Sequence, residues 1–234
     1  MNWQGFGYDR AAGEWDTGQY DRPERVFAAS WAAMLVRKAA FDAVGPFDKA
    51  FFMYHEDVDW CWRAWLRGFE VWYVPDAVAF HKGGATSRRY LGEDGKARLG
   101  QRHRIRSLLK CYETATLRRL LPRPELWSFS LPTLYHLLRV APMMAWNLWR
   151  LPPTLSARRA IQATRVRSDD EMQRWIWPDA VPVRPPRTFP EVSPRVARRR
   201  GRVAVMDAGI NDVAALGVGW WPLSWLPLDP ELHI

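Results

Sequence analysis

Phe47-Asp48-Lys49-Ala50-Phe51-Phe52-Met53-Tyr54-His55-Glu56-Asp57-Val58-Asp59 is the stretch that decides how this chain is read. An aromatic loop runs directly into a cluster of acids. Glu56, Asp57 and Asp59 fall in the first turn of a helix expected from Glu56 to Arg67, where the helix dipole favours negative charge. Gly68 stands where a glycine closes a helix. Phe69 to Val74 then has strand character, halted by Pro75-Asp76. Ala77 to Phe80 is a second extended piece that delivers His81 to a loop, Lys82 to Ser87. Upstream, Arg37 to Val44 reads as a short helix stopped by Gly45-Pro46, and Val26 to Val36 as a buried strand or helix entry.

Two roles are open for each polar residue here. Asp57 is either a general base for a substrate hydroxyl or a carboxylate that steadies the helix dipole. Glu56 and Asp59 share that choice. Arg63 is one helical turn from Asp59, so it is a phosphate ligand or an ion-pair partner. His81 offers a ring nitrogen to a metal or phosphate, or is an ordinary loop histidine. Trp60, Trp62, Trp65 and Trp72 stack on sugars or fill a core. No HExxH or cysteine–histidine cluster completes a protein-only metal site. The Gly83-Gly84 loop lacks the lysine and hydroxyl of a nucleotide-binding P-loop.

The 234 residues are 48% apolar, with fifteen tryptophans and a net charge of +9. That balance favours an anionic partner. Arginine-rich stretches occur without a recognised reading module, so nucleic acid is not expected. Cys61 and Cys111 read as reduced thiols, and no signal peptide is visible at Met1, so the expected location is cytoplasmic. The segment 131–151 has the length of a membrane span, but Pro132, Pro142, His136, Arg139 and Arg150 interrupt it. A buried or interfacial amphipathic helix is expected, with peripheral contact to an anionic membrane. Ala97 to Tyr112 reads as a basic helix and 155–175 as another. Beyond Pro178 the chain reads as a Pro/Arg-rich linker and tail.

From Ala29 to Ser87 the residues, in order, resemble the second half of a family 2 glycosyltransferase domain, with the rhamnosyltransferase-like members most similar. The matching pieces are Ala32-Ala33-Met34-Leu35-Val36-Arg37, Val44-Gly45, Phe47-Asp48, Phe51-Phe52-Met53-Tyr54, Glu56-Asp57-Val58-Asp59, Cys61-Trp62-Arg63, Gly68, Tyr73-Val74-Pro75 and His81. The resemblance implies an α/β GT-A fold over residues 1–96, followed by a helical extension at 97–177 and the tail at 178–234. It implies an inverting transfer from a nucleotide-sugar donor to a glycan or lipid-linked acceptor. Asp57 would be the base, assisted by Glu56. Asp59, Trp60, Arg63 and Trp31 would line the substrate site, and His81 would hold a divalent metal, magnesium or manganese. Trp31 departs from the family pattern, which has glycine there. No nucleotide-gripping unit or D-x-D pair precedes Asp57. The expectation is therefore an acceptor-side half that works with a separate chain supplying the other half, or an inactive fragment that serves as a binding module.

Overall fold

The computed structural model describes residues 1–7, 10, 18–79, 85–123, 126 and 134–176. Its elements are β1 (Glu24–Arg25), a 3-10 turn at Trp31–Ala33, α1 (Lys38–Val44), α2 (Glu56–Leu66), β2 (Trp72–Tyr73) and α3 (Ala85–Cys111). After these come α4 (Thr114–Leu120), α5 (Leu134–Trp149), α6 (Leu151–Ala163), α7 (Asp169–Met172) and a 3-10 turn at Gln173–Trp175. The architecture is mixed: helices dominate, and β1 and β2 form a two-stranded antiparallel sheet with Glu24 opposite Tyr73. The tail at 178–234 lies outside the described residues.

Helix α2 is the centre of the fold. Every residue from Asp59 to Leu66 is buried. Three tryptophans nail it to its surroundings. Trp60 donates its indole N–H to the Gly45 carbonyl at 2.9 Å, and Trp65 donates to the Phe27 carbonyl at 2.9 Å. Trp62 packs edge-on against Tyr112 at 4.7 Å between ring centroids. Loss of such a side chain costs about 3–5 kcal/mol, mostly from the cavity it leaves. The helix ends as its sequence predicts. Gly68 is left-handed at φ 91°, its N–H bonds Trp65, and the Phe69 N–H reaches back to Ala64 at 3.0 Å. This paired closure satisfies carbonyls that the helix end would leave orphaned.

Other elements differ from the expectations. Only Trp72–Tyr73 of the run Phe69 to Val74 pairs in the sheet. Phe69 is spent on closing α2, and β1 offers just two ladder residues plus the Val26 N–H, which bonds Val71 at 3.0 Å. The Val26 to Val36 run yields no further strand, because Ser30 caps the 3-10 turn through its side chain. Ala85 to Ser87, expected in a loop, open α3 instead. That helix is broken at Gly92, whose φ of 60° and ψ of 177° no helix accommodates. The helix expected from 155 starts earlier, at Leu151, with Pro152 and Pro153 in its first turn, where their missing N–H groups cost nothing. The expected helix over 155–175 stops at Thr164, and Ser168 with Glu171 builds a capping box for α7.

A single apolar cluster spans Met1 to Ile176. It includes Trp62 and Trp65 of α2 with Ile105, Leu108 and Cys111 of α3. The segments expected at 1–96 and 97–177 therefore share one core. Among the described residues no helix is long and apolar enough to cross a membrane.

Candidate active site

The loop before α2 turns on two consecutive left-handed residues, Tyr54 at φ 67° and His55 at φ 73°. Neither is glycine, so each conformation costs on the order of 1–2 kcal/mol. Helix α3 holds the turn in place. The buried His103 donates its Nδ1–H to the Tyr54 carbonyl at 2.9 Å. Its Nε2 accepts from Arg102 Nε at 3.1 Å, which fixes the tautomer. Phe51 stacks on the same imidazole at 4.6 Å. The strained turn swings the chain so that Glu56 and Asp57 start α2 at the rim of the core.

Two acids separated by a single residue have opposite fates. Asp57 is partly exposed, and its Oδ1 accepts the Val58 N–H at 2.7 Å. Asp59 is 0% exposed. Its oxygens take Arg63 Nε at 2.9 Å, Ser107 Oγ at 2.7 Å and Lys110 Nζ at 2.7 Å. Lys110 also reaches Asp48 at 2.6 Å, and Arg106 reaches Asp48 at 2.9 Å. Burial alone would raise both carboxyls, but the neighbouring cations outweigh it and hold Asp48 and Asp59 well below the usual range. Arg63 finishes its donor set on the carbonyls of Val44 and Pro46 at 2.9 and 3.0 Å. A charged layer thus locks α2, α3 and the loop at 44–48 together beneath the Glu56-Asp57 pair.

This layer was not read from the sequence. Arg104, Arg106 and Lys110 fall on the expected basic helix, and they are 2%, 4% and 1% exposed. They turn inward because two interior carboxylates and several loop carbonyls need donors. The available signal was Asp59 to Arg63 at helical spacing, together with Asp48 in a stretch of aromatics.

Of the residues expected to line a substrate site, Trp31 is 40% exposed; Glu56, expected beside the base, is partly exposed. Trp31 meets Phe47 edge-on at 4.3 Å and leans on Trp60 at 6.3 Å. Trp60 is 3% exposed and backs that cluster. Asp59, Trp60 and Arg63, expected to bind substrate, instead sit in the interior with their polar groups engaged within the fold. His81 lies outside the described residues. Among the described residues no three His, Cys, Asp or Glu side chains converge as a metal site.

Both histidines of this region are neutral in the folded protein. Burial lowers His55 to about 3, against an opposing pull from Asp59. Burial likewise lowers His103 to about 4, despite the Tyr54 carbonyl. Unfolding returns each to about 6.5, so the unfolded chain binds more protons below that pH. Stability is therefore full above pH 6.5 and falls as the solution is acidified towards pH 4. Between pH 7 and 5 the loss is about 2 kcal/mol per histidine. Urea melts at the two pH values check this. His103→Gln should remove about half of the pH dependence, and a midpoint that does not move with pH contradicts it.

The chain shares a segment with known glycosyltransferases. It is 47% identical over 60 residues to the N-acetylglucosaminyl-diphospho-decaprenol L-rhamnosyltransferase of Mycobacterium tuberculosis, covering 25% of this chain and 20% of that enzyme. It is 39% identical over 66 residues to Rhamnosyltransferase WbbL of Escherichia coli K12, covering 27% of this chain and 25% of that protein. The chain thus spans a quarter or less of the length of these curated relatives. No family model matches it. No solved structure matches it.

Proposed function

We propose that the region around α2 is the acceptor-side half of an inverting glycosyltransferase site of the family 2, GT-A type. One observation carries the reading: Asp57 keeps solvent access at the head of α2 while Asp59, two residues on, is sealed into the core. The local likeness to rhamnosyltransferases supports the same chemistry. In this reading Asp57 accepts the proton of an acceptor hydroxyl. The hydroxyl oxygen forms a bond to the anomeric carbon as the bond to the nucleoside diphosphate breaks from the opposite face. The leaving diphosphate takes the electron pair, and the configuration inverts. Glu56 flanks the base, Trp31 offers an indole to a sugar, and the charged layer below fixes their positions.

The donor is a nucleotide-sugar, with rhamnosyl as the first sugar to test, and the acceptor is a glycan or a lipid-linked diphosphate sugar. His81 belongs to the proposal as a ligand for a divalent cation that offsets the charge of the leaving group. The described residues form no such donor set. The setting is the cytoplasmic face of a membrane.

The test is a transfer assay with the full chain, a nucleoside-diphosphate-rhamnose and N-acetylglucosaminyl-diphospho-polyprenol in detergent, with and without a co-expressed nucleotide-binding half. Rhamnosylated lipid of inverted anomeric configuration, formed with an equal amount of nucleoside diphosphate, is expected. Acceptor binding with no turnover under either condition would replace this reading by that of a binding module.

A further inference from the structure

Residues 126–168 contain six arginines and not one aspartate or glutamate. Part of this charge is gathered where α5, α6 and α3 meet. Arg102 of α3 lies over the Trp146 ring at 4.7 Å from its centroid, and Arg150 lies over the same ring at 6.0 Å. Among the described residues neither guanidinium has a carboxylate partner. Among the described residues Arg150 has no side-chain hydrogen-bond partner, and its Nε is buried without one. Unpaired like charges around one indole are an unfavourable arrangement unless an anion joins them. Next to them the α5–α6 corner exposes Leu148 at 64%, Trp149 at 71% and Leu155 at 41%, with Arg150 also over the Trp149 ring at 4.6 Å.

We infer that this corner is a membrane-docking site, in which Arg102 and Arg150 take the phosphate of an anionic lipid headgroup while Trp149, Leu148 and Leu155 enter the interfacial region of the bilayer. Tryptophan favours that depth because its body is apolar and its N–H is polar. Arginine suits phosphate because its planar fork donates two hydrogen bonds at once.

The site is built in advance. Asn147 ties α5 to α3 by donating to the Arg102 carbonyl at 3.2 Å. The Arg150 carbonyl accepts the Thr154 hydroxyl at 2.7 Å, and Thr154 in turn accepts from Arg106. The backbone of both arginines is thus fixed by the interior of the fold, and the Arg102 guanidinium is further held by its Nε–H donating to His103 Nε2 at 3.1 Å. Burial, and then the proximity of Arg150, lower the Arg102 pKa from its ordinary value. The inference does not depend on the transfer reading, since it concerns adhesion and none of its residues flanks Asp57.

Co-sedimentation of the full chain with vesicles tests it. The protein should pellet with phosphatidylcholine vesicles that contain phosphatidylglycerol and stay in solution with phosphatidylcholine alone. Arg150→Gln should lower the partition coefficient about fivefold, the share of one cation near an anionic surface. Trp149→Ser should lower it by at least as much, and by the same factor at high salt, since its contribution is apolar. Among the described residues Arg150 has no polar side-chain partner, and Trp149 is 71% exposed, so both variants keep the wild-type unfolding midpoint. Leu155→Ser, on the other helix, repeats the test should either fail to fold. Equal pelleting on neutral vesicles, or anionic-vesicle binding indifferent to Arg150 and Trp149, overturns the proposal. So does release from the vesicles by millimolar inorganic phosphate at constant ionic strength, which would make the site one for a free phosphate.

Discussion

Asp57→Asn lowers glycosyl transfer by about 10²–10⁴-fold in the reconstituted enzyme and leaves the unfolding midpoint nearly unchanged. The two halves of that result have separate causes. Asparagine is isosteric and keeps an Oδ1 that accepts the Val58 N–H, the contact Asp57 makes at 2.7 Å. What is lost to stability is the charge at the head of α2, about 0.3–1 kcal/mol for a partly exposed site. What is lost to chemistry is the basic oxygen, and the expected rate factor equals about 3–5 kcal/mol of barrier. The kinetic loss exceeds the structural one severalfold, so the variant separates a base from a helix-dipole carboxylate. A turnover within a few fold of wild type removes Asp57 from the mechanism. Glu56→Gln is the control: it changes the charge of the same helix turn and should reproduce the small stability effect with a far weaker kinetic one.

The split between Asp57 and Asp59 also marks how far the sequence could be read. Helix α2 was legible at both ends, because acids at its start and Gly68 at its end report local physics. Helix α1 was legible for the same reason, with Gly45 as its stop. The Glu56-Asp57 pair stood out by position alone. The burial of Asp59 was not legible, since its partners Ser107 and Lys110 lie 48 and 51 residues away and meet it only when α3 packs on α2. The same letters Arg104, Arg106 and Lys110 describe a solvated basic face or an interior charge layer, and only the tertiary fold decides between them. The sheet shrank for a related reason. A strand needs a partner as long as itself, and the sequence of Phe69 to Val74 carries no information about how short β1 is. The capping box at Ser168–Glu171 was readable from its spacing and went unread within a longer helical pattern.

Asp59→Ala destabilises the protein by about 3–5 kcal/mol, enough to unfold a domain of ordinary stability. The charge layer explains why this residue matters more than its cationic neighbours. Asp48 and Asp59 face three cations, Arg63, Arg106 and Lys110. Removing Asp59 leaves three buried cations on one carboxylate, and it takes the acceptor from the Ser107 hydroxyl as well. Arg63 keeps only the carbonyls of Val44 and Pro46, which carry no full charge. Removing Lys110 instead leaves each carboxylate with an arginine, Asp48 with Arg106 and Asp59 with Arg63. Lys110→Met therefore costs less than Asp59→Ala, despite burying a side chain of similar length at a site only 1% exposed. Urea unfolding at pH 7 ranks the two, and a larger loss for Lys110→Met contradicts the excess of cations. The double variant adds a sharper reading. Once Asp59 is absent Lys110 is a surplus charge near Arg63, so Lys110→Met should recover part of the loss in the Asp59→Ala background while costing stability on its own. A change of sign of that kind arises only between groups that share one charge layer. Two independent contacts on the α2–α3 seam would simply add.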